Sequence, residues 1–236
     1  KKQKLMSKEK KEKTTSVFRL KEDLRLKQIP IHIECFDNSN LQGTNPVAAC
    51  VVFKNGKPSK KEYRLFNIKT VVGPDDYKSM EEVVLRRYKR LINEKRKLPQ
   101  LIVIDGGKGQ LSSAVKSLKK LNIDGQIAII GIAKRLEEIY FPNDSTPLYL
   151  DKKSSSLKLI QQLRNEAHRF GINHHRRKRV SEKIKTSLDN ISGIGPKTST
   201  LLLKKFGSVK NLMKADYKTV QELIGKSKAK KIFGKI

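Results

Sequence analysis

The chain has 236 residues, with 53 Lys and Arg against 23 Asp and Glu, for a formal net charge of +30. That length allows one substantial core and a smaller second unit. The charge calls for a polyanionic partner, nucleic acid first and an anionic membrane surface second. No apolar run approaches the roughly 18 residues that span a bilayer, and no signal-peptide pattern opens the chain. The two cysteines, Cys35 and Cys50, fit no metal spacing and read as core residues of a protein in a reducing cytoplasm.

Residues 1–16 read as a basic tail or linker, rich in lysine and almost without apolar residues. Because the chain opens on Lys1 and not Met, it is expected to be a piece of something longer. A domain over 17–177 follows. Its first strand, Ile31 to Asp37, ends in a polar turn through Asn38, Ser39 and Asn40. Ala48 to Phe53 is a second strand, and Asn55-Gly56 is a strong hairpin signal. Tyr63, Leu65, Phe66 and Ile68 suggest a third strand.

Gly73-Pro74 breaks the chain, and Asp75 and Asp76 stand where a helix start favours negative charge. The helix over about 79–94 has Met80, Val83, Val84, Leu85, Leu91 and Ile92 as its apolar set, with Arg86, Arg87, Lys89 and Arg90 assigned to the opposite face. Leu101 to Ile104 is a buried strand, and a helix through Leu111, Ala114 and Leu118 follows it. Ile127 to Ala133 is another buried strand, ending at Lys134-Arg135. A small hairpin is expected around Asn143 and Asp144. The last helix of the domain starts near Ser154 to Ser156 and runs to Phe170. A linker is placed at 178–185. A three-stranded meander followed by alternating strand and helix predicts an α/β fold, a mixed sheet with helices on both faces.

Chemistry gathers at the strand end Asp105-Gly106-Gly107-Lys108-Gly109-Gln110. A carboxylate closing a central strand, next to a bare glycine turn, can hold a metal against a phosphate. If the first strand lies beside this one, Asp37 and Asp105 come together. Two such carboxylates suit Mg²⁺, which takes few carboxylates and fills its shell with water and phosphate oxygens. His168 could complete the site as ligand or as proton carrier. The plainer alternatives stand beside this: Asp37 as a turn residue, His168 as a helix-surface histidine, and Glu82 as a partner for Arg86 rather than part of the metal surroundings. His174 and His175, among four basic residues, read as phosphate-binding more than metal-binding. Neither a Walker loop nor a dinucleotide fingerprint is present, so no nucleotide cofactor is expected. Arg86, Arg87, Lys108, Lys134, Arg169 and Arg176 are candidates to line a DNA path.

Residues 186–236 form a separate helical unit with eleven lysines. Ile191-Ser192-Gly193-Ile194-Gly195-Pro196-Lys197 has the helix-hairpin-helix pattern. Gly193 and Gly195 let backbone N–H groups reach phosphate oxygens, and Lys197 adds charge. Such contacts bind DNA without reading its sequence. Leu223 to Ser227 is a degenerate second copy.

From residue 17 onward these stretches resemble the C-terminal half of the UvrC nucleotide-excision-repair nuclease. The match is carried by Glu34 to Asn40 with Gln42-Gly43, Asp75-Asp76-Tyr77 with Ser79-Met80, Arg86-Arg87-Tyr88, Asp105 to Gln110, Ala133-Lys134-Arg135 with Glu137 to Tyr140, and Arg164 to Phe170. Asn165 stands where the family usually has Asp, and Gly171 where it usually has Ala. The resemblance implies an RNase H-like fold with an Asp37, Asp105, His168 site holding Mg²⁺ or Mn²⁺. It also implies a tandem helix-hairpin-helix domain and an endonuclease that cuts a damaged DNA strand on the 5′ side of a lesion, with UvrB as partner. Two rival readings remain open: a non-catalytic DNA-binding module, and a structure-selective, resolvase-like nuclease.

Overall fold

The computed structural model describes residues 15–39, 46–71, 73–133 and 137–234, with the backbone alone for Ser39, 174–187 and Asp189. Contacts divide the chain into two units that meet between Ile172 and Asn173.

The first unit opens with a helix, α1, over 15–23. β1 (His32–Ser39) and β2 (Val47–Lys54) pair antiparallel, and β2 turns through Asn55 and Gly56, both at positive φ, into the two-residue β3 (Lys57–Pro58). The strand expected through Tyr63 to Ile68 forms further on, and β3 is an addition that the apolar pattern does not show. A 3₁₀ turn at Lys60–Glu62 separates β3 from β4 (Arg64–Asn67), and each pairs with a different stretch of β2. The Asn-Gly hairpin lets only two residues pair before Ser59 turns the chain, its N–H donating to the Val52 carbonyl.

Helix α2 (Asp76–Asn93) begins three residues earlier than the apolar pattern alone suggests. Asp75 is its cap, accepting from the N–H groups of Tyr77 and Lys78. β5 (Leu101–Asp105), α3 (Lys108–Lys120), β6 (Ala128–Ala133) and β7 (Glu138–Tyr140) follow. The sheet runs β3-β2-β1-β5-β6-β7, with β4 also on β2. β5 is parallel to both β1 and β6, and β7 is antiparallel. Ile139 and Leu148 pair to close the expected small hairpin.

Two apolar layers sandwich this sheet, and strand parity assigns each residue to one of them. Ile33, Cys35, Leu101 and Val103 pack towards α1 and the long helix α4 (Ser155–Asp189). Phe36, Ile102 and Ile104 pack towards α2 and α3. α4 continues through 178–185, where a linker is expected, because no Gly or Pro interrupts the chain between Ile172 and Ser192.

The second unit packs α5 (Pro196–Phe206), α6 (Val209–Lys214), α7 (Tyr217–Ile224) and α8 (Lys226–Phe233) around Leu188, Ile191, Ile194, Leu202, Leu212, Val220, Ala229 and Ile232. Ser208 and Asp216 cap α6 and α7 through their side chains. Glycines precede α5 and α8. No helix among the described residues is long and apolar enough to cross a membrane.

Candidate active site

Register and parity together assemble the acidic pair. Phe36 is the partner of Ile104 across the parallel β1–β5 ladder, so one step further Asp37 stands level with Asp105. Both continue the odd series 33, 35 and 101, 103 that faces α4. Both are nearly buried, at 1% and 4% exposure. Helix α4 brings its apolar stripe of Leu159, Ile160, Leu163 and Ala167 onto this face and delivers His168 beside it. The His168 Nδ1 lies 3.1 Å from Asp37 Oδ2, across 131 residues of sequence, while the imidazole stays half exposed. Cys35, beneath the pair, reports the local field. Burial pushes its thiol up first, and the Asp105 and Asp37 carboxylates push it further.

Two of the three glycines after Asp105 stand close against side chains, whereas Gly107 has open space around it. A side chain at Gly106 would overlap Gln110, whose amide folds back over the turn. One at Gly109 would fall 2.5 Å from the Tyr77 ring. On the neighbouring strand a Cβ at Gly131 would stand 2.8 Å from the Gly106 carbonyl oxygen. Gly131 thus belongs to the machinery that fixes the turn, although an apolar run hides it in the sequence.

The predicted basic residues separate into different roles. Arg87 does not line a surface. It is buried, with Nε donating at 3.1 Å and Nη2 at 2.5 Å to the fully buried Glu34 carboxylate, which also accepts from the Tyr88 hydroxyl at 3.0 Å. Although burial favours its neutral form, the His32 imidazole 3.4 Å away and the bonds from Arg87 hold the Glu34 carboxyl at about 2. Arg87 belongs to the stripe Met80, Val83, Val84, Arg87, Tyr88, Leu91 that faces the sheet, one helical position away from the partly exposed Arg86. Arg86 donates to Glu82 and to the Asn67 carbonyl and lies over the Phe66 ring.

Glu82 itself points away from any metal role. Its carboxylate accepts from the N–H groups of Lys69 and Thr70, from the Thr70 hydroxyl and from Arg86, so it fastens the loop after β4. Arg169 is exposed and forked onto Glu166. Lys108 starts α3, with its ammonium 5.0 Å from the centre of the Tyr140 ring. Lys134 lies outside the described residues. Arg176 falls within α4, with its side chain outside them. In the second unit Gly193 has φ +90°, Gly195 is the N-cap of α5, and Lys197 sits exposed in its first turn.

Sequence reasoning missed one further group at this face. Arg164, one helical turn before His168, lies 3.6 Å from Glu137 Oε1, and Gln161 donates to both oxygens of that carboxylate. Glu137 takes a left-handed φ of +56°, unusual for a non-glycine residue. The sequence signals are the motif stretches that hold Glu137 and Arg164, and spacing: 161, 164 and 168 share one face of α4.

Among the described residues no three of His, Cys, Asp and Glu gather tightly enough to cage a metal unaided. The donor set nevertheless fits Mg²⁺ or Mn²⁺, which need only one or two carboxylates when water and substrate phosphate supply the rest.

Carboxylates ending neighbouring parallel strands of a mixed sheet, with a third polar group delivered by the closing helix, define an RNase H-like fold. The chain belongs to the UvrC RNase H endonuclease domain family, whose model matches residues 21–172; a SAM-like helix-hairpin-helix tandem matches 185–233. Relatives named UvrABC system protein C agree. That of Christiangramia forsetii is 67% identical over 210 residues, covering 89% of this chain and 35% of the relative. That of Flavobacterium psychrophilum is 67% identical over 213 residues, covering 90% and 36%. That of Porphyromonas gingivalis W83 is 58% identical over 217 residues, covering 92% and 36%. The chain therefore spans about a third of the length of these curated relatives.

Proposed function

We propose that this chain carries the phosphodiester-cutting half of a nucleotide-excision-repair nuclease. It makes the 5′ incision beside a lesion in damaged duplex DNA and acts in the cytoplasm on a complex of DNA with UvrB. The observation that supports this best is the level pairing of Asp37 with Asp105 on one face of the sheet, with His168 bonded to the first. The family's name and the +30 charge point the same way.

In this reading Asp37 and Asp105 hold the divalent cation. When bound, Mg²⁺ or Mn²⁺ supplies charge neutralisation at the scissile phosphate and a more acidic water. With Nδ1–H donated to Asp37, His168 presents Nε2 as the proton acceptor for the attacking water, and Asp37 fixes that tautomer. Lys108, Lys134, Arg86 and Arg169 attract the backbone on the nuclease unit, and Arg176 does so from the part of the chain that follows it. Gly193, Gly195 and Lys197 present the start of α5 to phosphate in the second unit.

The test is a nicking assay on duplex DNA with Mg²⁺ or Mn²⁺, comparing the chain with Asp105→Asn, which keeps the shape and removes the charge. Metal-dependent cutting should fall at least about 100-fold in the variant, the scale of removing a principal electrostatic group. Equal cutting by both proteins would remove Asp105 from the mechanism. Tight DNA binding without any cutting, with UvrB supplied, would favour the non-catalytic module.

A further inference from the structure

The sheet edge beyond Asp105 carries a second arrangement that the proposed reaction does not use. Asp105 is in register with Ile132 on β6, and Ile132 with Ile139 on β7. Ile139 therefore lies two strands, about 10 Å, from the Asp105 position. Glu138 and Tyr140 flank it; Tyr140 packs with the α3-side core, and strand parity puts Glu138 on the same face. The single Glu138 carboxylate binds two phenols: the Tyr140 hydroxyl donates to Oε2 at 2.7 Å, and the Tyr149 hydroxyl donates to Oε1 at 2.8 Å. Lys108, three residues after Asp105, completes the group over the Tyr140 ring.

Tyr149 stays 57% exposed. Its neighbours Leu148 and Leu150 pack on the α4-side core, and Leu148 pairs with Ile139. The backbone on one end and the hydroxyl on the other are thus fastened, and the ring between them is left bare. A ring fixed in this way loses little rotamer freedom when something stacks on it.

We infer that Tyr149, held by Glu138 beside Tyr140 and Lys108, is a platform on which an unpaired nucleobase stacks next to the cutting site. A flat apolar face beside a fixed cation matches a base joined to its phosphate. A paired base within a duplex is already covered on both faces and offers none. An acidic peptide would satisfy Lys108 and leave the ring unused. Bonds from the two phenols hold the Glu138 carboxyl below the usual carboxylate range, so it stays charged, and the nearby Lys108 ammonium offsets that charge. The inference rests on reading the Asp37–Asp105 edge as a nuclease site.

The experiment measures binding of the whole chain to a short fluorescent oligothymidylate and to a blunt duplex of equal length, by anisotropy across a salt series. Tyr149→Ala should weaken the single strand about 10-fold or more, the loss of one stacked base, and leave the duplex unchanged. Its salt slope should match the wild type, because no phosphate contact is lost, whereas Lys108→Ala should flatten the single-strand slope by about 0.7. Tyr149→Phe keeps the ring and should retain most of the affinity, which guards against misfolding as the cause. Wild-type affinity for the single strand in Tyr149→Ala, or an equal loss on the duplex, overturns this inference alone. A wild-type chain that binds neither oligonucleotide overturns the nucleic-acid reading beneath it as well.

Discussion

Replacing Arg87 with methionine would strand Glu34, a carboxylate with no exposed surface, with only His32, Tyr88 and the Cys50 thiol around it. Two hydrogen bonds from the guanidinium are lost, each worth about 1.5–3 kcal/mol when an ion is involved. Breaking a buried ion pair on one side costs about 3–5 kcal/mol in total, so we expect that loss in urea unfolding followed by far-UV circular dichroism. Changing both partners, Glu34→Gln with Arg87→Met, should recover much of it, because the stranded charge is the main penalty.

Acid supplies an independent check on the same pair. Holding Glu34 at about 2 instead of 4.5 stabilises the fold. That contribution, about 3 kcal/mol, is full above the unfolded value of 4.5 and disappears as pH falls towards 2. The double variant should lack this decline. The salt slope of DNA binding should be unchanged in every one of these proteins. A cost below about 1 kcal/mol in Arg87→Met, together with a slope flatter by about 0.9, would mean that Arg87 meets phosphate and that the buried pair is misread.

Three other substitutions follow from the geometry. Gly131→Ala places a Cβ against backbone at Gly106; it should cost about 1–3 kcal/mol in thermal melting and reduce nicking further than the stability loss alone explains. Glu82→Gln weakens the fastening of residues 69–70; we expect a loss of about 1–3 kcal/mol with Mn²⁺ binding by calorimetry unchanged, and weakened Mn²⁺ binding would place Glu82 at the metal after all. Gly193→Ala, at φ +90°, forces a strained backbone costing about 1–3 kcal/mol; it should weaken blunt-duplex affinity and leave Mn²⁺ binding intact.

Much of this was legible in the sequence because the fold obeys local rules. The apolar runs ending in Asp37 and Asp105, the Asn-Gly turn, the Asp75 cap and the paired glycines of the second unit each have a short-range cause. His168 could be read from the residues as a candidate to complete the site, beside the plainer reading of a helix-surface histidine, since nothing within α4 announces a partner 131 residues away. Arg87 was misassigned because adjacent arginines look alike in a charge run. Its spacing from Met80, Val83 and Val84 already placed it on the buried stripe, and the charged Glu34 inside a buried strand was the missing half of the clue. The helical stretch over 178–185 was hidden by its charge, which marks solvation and says little about backbone conformation. Gly131 and the Glu138 pairings were not legible at all, because they depend on which strands become neighbours.

The register between β1 and β5 has a consequence for the cell that makes this protein. Asp37 and Asp105 lie 68 positions apart in the chain and meet only once a parallel ladder has closed, a non-local and therefore slow event. A slip of one residue would send Asp37 to the opposite side of the sheet. A half-synthesised or misfolded copy therefore lacks the level pair of carboxylates on which the candidate site depends. Correct strand pairing is thus a precondition of the candidate site and not only of stability.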